Sequence, residues 1–174
     1  RFLTAGESHG KALIGIIEGI PAGLSIDEEY INMQLARRQK GHGRGGRMKI
    51  EKDQVQILSG VRNGQTIGSP ISLMIKNLDF KNWENTMSVG PVKNNEKITL
   101  PRPGHADLAG VKKYGFDDIR NVIERSSARE TTMRVALASI CRKLIEELNI
   151  SIVSHVVAIQ DVKSAFRFKE SDSA

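Results

Sequence analysis

The stretch Ser127-Ala-Arg-Glu-Thr-Thr-Met-Arg-Val-Ala-Leu-Ala-Ser-Ile-Cys-Arg-Lys-Leu-Ile-Glu-Glu-Leu148 sets the frame for the whole chain. Met133, Leu137, Ile140, Leu144 and Leu148 recur at three- and four-residue spacing, which predicts a long helix with one apolar face. Ser127-x-x-Glu130 has the form of a capping box and predicts where that helix starts. Arg125, Ser126, Ser127 and Arg129 then surround a helix N-terminus, whose free N–H groups and dipole favour an anion. A cation such as Arg129 is mildly unfavourable there, and a bound anion removes the penalty. Cys141 is the single cysteine, cannot form an internal disulfide, and reads as a small core residue.

Working outward, Pro101-Arg-Pro-Gly-His-Ala-Asp107 holds Arg102 in an extended, turn-like path and leaves His105 on a loop. Asp107 is expected to cap a short helix with Leu108 and Val111 on one face, ended by Gly115. Beyond the long helix, Ile150 to Val162 is apolar on both alternating faces, as in a strand covered on both sides. Residues 163–174 turn polar and irregular with no closing element, so a truncated domain is expected. Near the N-terminus, residues 13–20 form a β-branched, glycine-broken run that predicts a buried strand. Ser25-Ile-Asp-Glu28 is a second capping box, opening a helix to about Arg38 with Ile31 and Leu35 inward. Residues 55–61 and 71–75 read as strands, and 76–100, with Trp83, as a surface excursion. The fold class is mixed α/β.

With 174 residues the chain is long enough for one domain with a sizeable core. A formal charge of +6 calls for an anionic partner without choosing between nucleic acid and a small polyanion. No apolar run approaches the ~18 residues of a membrane span. No metal-spaced His/Cys cluster and no signal peptide is present, so no metal site is expected and a reducing cytoplasm is the default.

Two motifs fail on context. Gly6-Glu-Ser-His-Gly10 matches a hydrolase nucleophile elbow, but a glycine-broken strand follows where a helix is required. Its glycines serve better to present Ser8 and His9 on a tight turn. Gly41-His-Gly-Arg-Gly-Gly46 matches a dinucleotide fingerprint, but a helix precedes it and no helix follows. What remains is a basic, glycine-rich loop over residues 37–52, an anion-gripping lid. No aromatic residue lies between Asn32 and Asp79, so the stacking platform of a single-strand binder is missing there, which favours a small polyanion.

The residues resemble the chorismate synthase family. The resemblance runs through Gly6-Glu-Ser-His-Gly-Lys-Ala-Leu-Ile-Gly-Ile-Ile-Glu-Gly-Ile-Pro21, Arg37-Arg-Gln39, Gly43-Arg-Gly45, Asp53-Gln-Val55 and Leu58-Ser-Gly-Val61. It continues through Arg102-Pro-Gly-His-Ala-Asp107, Lys113-Tyr-Gly115 and Arg125-Ser-Ser-Ala-Arg-Glu-Thr131. Asn121-Val-Ile-Glu124 departs from it, standing where many members carry glycines. Members run much longer, so residues 1–174 are expected to be their N-terminal half.

The resemblance implies an anti-1,4-elimination of phosphate from 5-enolpyruvylshikimate 3-phosphate, giving chorismate, by a phosphate lyase that requires reduced FMN. It implies substrate binding by Arg38, Arg44, Arg102 and Arg129, flavin contact by Arg125, Ser126 and Ser127, and active-site roles for His9 and His105. Arg38 and Arg44 also match positions for NADP, with NADPH as a reductant where one is bound. It further implies a β-α-β sandwich and a homotetramer, with neither nucleic acid nor membrane as partner. A guanidinium fork suits planar carboxylates and phosphate, and imidazole can give or take a proton near neutrality. A basic RNA-binding domain and a non-catalytic remnant are the competing readings.

Overall fold

The computed structural model describes residues 1–40, 46–92 and 96–166. Its elements run β1 (Phe2–Ala5), β2 (Ala12–Ile17), α1 (Glu28–Gln39), β3 (Val55–Ser59), β4 (Val61–Arg62), β5 (Gln65–Thr66) and β6 (Ile71–Lys76). They continue with α2 (Asp107–Tyr114), α3 (Arg120–Arg125), α4 (Glu130–Glu146), β7 (Ala158–Ile159) and β8 (Val162–Lys163). Four strands pair antiparallel in the order β1-β2-β6-β3. Leu13 and Ile17 of β2, Leu73 and Ile75 of β6, and Val55 of β3 point to one face and are buried. α1 covers that face with Ile31 and Leu35, and α4 with Met133, Leu137 and Ile140. The described residues thus build a sheet layer and a helix layer, each burying its apolar side in the other.

Gly15 decides how close the layers come. A Cβ there would lie 2.5 Å from Met133 Sδ and 2.9 Å from Leu137 Cδ1, so only glycine lets α4 sit down on β2.

The elements expected at residues 13–20, 55–61 and 71–75 are strands, and both long helices are present. Their ends differ from expectation for physical reasons. α1 is capped by Asp27, whose Oδ1 accepts from the Tyr30 N–H at 2.8 Å, while Ser25 bridges to Gln65. The box Ser127–Glu130 does not close, because Glu130 is taken by Thr4 and Arg134. α4 ends at Glu146, which leaves Leu148 64% exposed, and Cys141 is exposed rather than in the core. Asp107 caps nothing, since Arg102 occupies its carboxylate, but Gly115 does end α2, with φ of 70°.

The strand expected over residues 150–162 is absent. Only the short hairpin β7–β8 forms, and Ile152, Val157 and Val162 are exposed. A longer strand needs a ladder partner along its whole edge, and among the described residues the only ladder this segment makes is the hairpin with its own continuation at Val162–Lys163. The stretch 76–100 is not wholly at the surface either: Asn77 and Asp79 are buried, and a short 3-10 turn at Leu78–Asn82 leads into Trp83.

Candidate functional site

The loop before α2 and the turn between α3 and α4 face each other across an open cleft of about 800 Å³. Arg102, His105, Arg125, Ser126 and Ser127, five of the expected site residues, line it together with Glu130, Thr131 and Arg134. Asp107, fully buried, sets Arg102: Nε donates to Oδ2 at 2.8 Å, Nη2 to Oδ1 at 2.9 Å, and the Arg102 backbone N–H to Oδ2 at 3.0 Å. The Arg102 fork holds the Asp107 pKa down at about 2, so the pair stays charged throughout the physiological range. The Nη1 edge of Arg102 makes no hydrogen bond among the described residues and is available to a ligand.

His105 lies 3.0 Å through Nδ1 from the Pro103 carbonyl. A carbonyl can only accept, so Nδ1 carries the proton and Nε2 is left for chemistry. Arg125 donates through Nη2 to the carbonyl and the hydroxyl of Thr4, both at 3.1 Å. The Thr4 hydroxyl donates a hydrogen bond to Glu130 at 2.6 Å, and Arg134 Nε donates to the same carboxylate at 2.7 Å. Burial pushes the Glu130 pKa up, but these hydrogen bonds outweigh it and the carboxyl sits below its ordinary value. Arg102, Arg125 and Arg134 therefore meet Glu130 and the recessed Asp107, which leaves a positive surplus in a concave site.

The remaining expected residues lie elsewhere. Arg38 reaches from the end of α1 to the cleft's back edge, donating through Nη2 to Ala128 O and to Thr131 Oγ1, each at 2.9 Å. Arg129 is 7% exposed and turned into the interior, where Nη1 bonds Asp53, Nε donates to Asn77 at 2.9 Å, and Nη2 lies 3.6 Å from Glu51. The physical reason is that Glu51 and Asp53 are buried carboxylates that need a buried cation. Arg44, with the centre of the basic loop expected to act as a lid, lies outside the described residues.

His9 is not among the residues that line this cleft. The Asn77 amide donates to the carbonyls of Glu7 and Gly10 and fixes its turn. Its ring stacks on Trp83 with centroids 3.9 Å apart, and Nδ1 lies 2.9 Å from Glu124 Oε1. Sequence reasoning missed Glu124, Trp83, Asp79 and Arg47. Glu124 sits on a helix of six residues, too short to show periodicity, and its only signal was the departure from glycine at 121–124.

Among the described residues no group of His, Cys, Asp and Glu could hold a metal, and no helix is long and apolar enough to cross a membrane. The family model for chorismate synthase matches residues 1–174. The chorismate synthase of Alkaliphilus metalliredigens is 63% identical over 163 residues, covering 93% of this chain and 43% of that protein. That of Enterococcus faecalis is 58% identical over 168 residues, covering 94% of this chain and 43% of that protein. A crystal structure of chorismate synthase matches with a TM-score of 0.63 at 46% identity, over 86% of this chain and 35% of that one. The chain spans less than half the length of the curated relatives it matches.

Proposed function

This chain belongs to the chorismate synthase family, and from that premise we propose that it carries part of the site for the phosphate-lyase reaction. The reaction is the anti-1,4-elimination of phosphate from 5-enolpyruvylshikimate 3-phosphate, giving chorismate, with reduced FMN required. The observation that carries this reading is the cleft itself, where the topology gathers Arg102, His105, Arg125, Ser126 and Ser127 with a surplus of guanidinium charge. The substrate has one phosphate and two carboxylates, and guanidinium groups preset by Asp107 and Glu130 bind such anions with little reorganisation.

The residues fit a flavin nucleotide. Arg125, Ser126 and Ser127 offer a guanidinium and hydroxyls to its phosphate. Beside them a recess of about 470 Å³, walled by Gly110, Tyr114, Phe116 and Val122, offers an apolar surface to a flat ring. Reduced flavin, when bound, supplies electron density to the reacting ring system without net oxidation.

The protein's own part is to bind, orient and move protons. Arg102 and Arg38 hold substrate anions, with Arg44 from the loop. Arg129 supports them from behind, tying Asp53 to the Asn77 amide that fixes the His9 turn. His105 offers Nε2 at the cleft as a proton-handling group, and His9 is the second such group. NADPH as the reductant through Arg38 and Arg44, a homotetrameric assembly and a cytoplasmic location complete the reading and rest on the family resemblance.

Adding substrate to the assembled enzyme with chemically reduced FMN under anaerobic conditions tests it. Phosphate release with a perturbed flavin spectrum is expected. Absence of both overturns the reading, and binding of RNA that weakens steeply with salt would replace it.

A further inference from the structure

The His9 ring is held at Nδ1 and across one face, although the turn that carries it is glycine-flanked. Glu124, 3% exposed, makes most of that hold. Its backbone carbonyl accepts from the Ser8 N–H at 2.8 Å, and its Oε2 accepts from the His9 N–H at 2.8 Å. Its two carboxylate oxygens lie 2.9 and 3.0 Å from His9 Nδ1. Trp83 covers one face of the ring, and the Trp83 indole N–H is itself anchored on Asp79 at 3.2 Å. Asp79 Oδ2 stands 4.0 Å from His9 Nε2, too far for a hydrogen bond, and the same oxygen is 4.0 Å from Arg47 Nε. Arg120 lies over the Trp83 ring, 5.7 Å from its centroid.

We propose that Glu124 is the positioning residue of His9, fixing the neutral ring with its proton on Nδ1 and its bare nitrogen at Nε2. This rests on the reading of His9 as a proton-handling residue. The chemistry is that of an acceptor-only group. Burial pushes the Glu124 pKa up, but the hydrogen bonds from the His9 ring and backbone pull it below its ordinary value. An ionised carboxylate can only accept, so Nδ1 must donate, and the neutral imidazole then has a lone pair at Nε2. The backbone bonds from Ser8 and His9 remove the freedom by which the ring would turn away. The Glu124 carboxylate makes its hydrogen bonds to His9 and reaches the cleft residue Arg102 through charge alone, so the tautomer of His9 is the readout specific to its positioning role. The resulting pair of histidines is matched: His105 is held by a carbonyl and His9 by a carboxylate, each with Nδ1 protonated.

Ring-nitrogen NMR on the chain labelled with 15N-histidine reads each tautomer directly, with His9 assigned by His9→Gln. At pH 8.5 the expected spectrum shows protonated Nδ1 and bare Nε2 for His9. In Glu124→Leu the ring should return to the form with Nε2 protonated, which water favours, while His105 keeps its pattern. A bare Nδ1 in the unsubstituted chain, or a protonated Nδ1 that persists in Glu124→Leu, overturns the assignment. If Glu124→Leu does not fold, the unsubstituted chain decides: a protonated Nδ1 with its proton shifted far downfield by the carboxylate supports the proposal. No substrate is needed. An assembled enzyme that releases no phosphate would therefore sink the reaction while leaving this tautomer standing.

Discussion

Two groups of arginines sit on either side of the turn into α4, and they are opposite in character. Behind it, Arg129 and Arg47 are enclosed with Glu51, Asp53 and Asp79, and their guanidinium groups are matched by carboxylates. In front of it, Arg102, Arg125 and Arg134 face open solvent, and among the described residues Glu130 and the recessed Asp107 are their ion-pair partners. A buried charge must find its partner within the fold, whereas an exposed one can wait for a ligand. Sequence position does not distinguish the two roles: Arg125 and Arg129 are four residues apart, one at the end of α3 and one just before α4. The account therefore assigns stability to the rear group and anion binding to the front one.

The sharpest way to break that division is through catalysis. In the assembled enzyme, His105→Ala and His9→Ala should each lower the rate of phosphate release by about 10²–10⁴ with substrate binding largely kept. Unchanged turnover in both variants would remove the histidines from the site. Next in size is Asp53→Ala, which leaves the buried Arg129 short of its closest counter-charge and should cost roughly 3–5 kcal/mol in a denaturant titration. Arg125→Ala, at a half-exposed position, should cost less than about 1 kcal/mol in the same titration. Equal losses from the two would erase the distinction between rear and front.

How far the sequence could take this comparison depended on range. Period-three-and-four spacing found α1 and α4 and their inward residues Ile31, Leu35, Met133 and Leu137, because one buried face dictates that spacing. The Pro-Arg-Pro-Gly-His and Arg-Ser-Ser blocks were legible as a joint site because turn chemistry and anion chemistry are both local. Local chemistry alone points Arg129 at an anion, because nothing local shows that Asp53 and Glu51, far away in sequence, are buried beside it. The capping box at Ser127–Glu130 and the cap expected at Asp107 both failed because another side chain, Thr4 in the first case and Arg102 in the second, took the carboxylate. The segment 150–162 has strand propensity without strand structure, since propensity supplies no ladder partner.

A smaller effect sharpens the front group. Asp107 has its pKa lowered from 3.8 to about 2 by Arg102, so the stability it contributes is complete above about pH 4. It is lost as the pH falls through 2, because protonation then releases the Arg102 fork. Asp107→Asn should flatten that part of an acid denaturation curve and cost about 1–2 kcal/mol at neutral pH. An unchanged acid limb would show that Asp107 does not hold Arg102.

The division between the two arginine groups is tested most directly by arginine side-chain NMR during titration of the chain with 5-enolpyruvylshikimate 3-phosphate at low salt. The account predicts shifts in the Nε–H signals of Arg102 and Arg125, with those of Arg129 and Arg47 unmoved, and loss of the response as salt screens the cleft. Shifts centred on Arg129 and Arg47, with Arg102 and Arg125 silent, would contradict it.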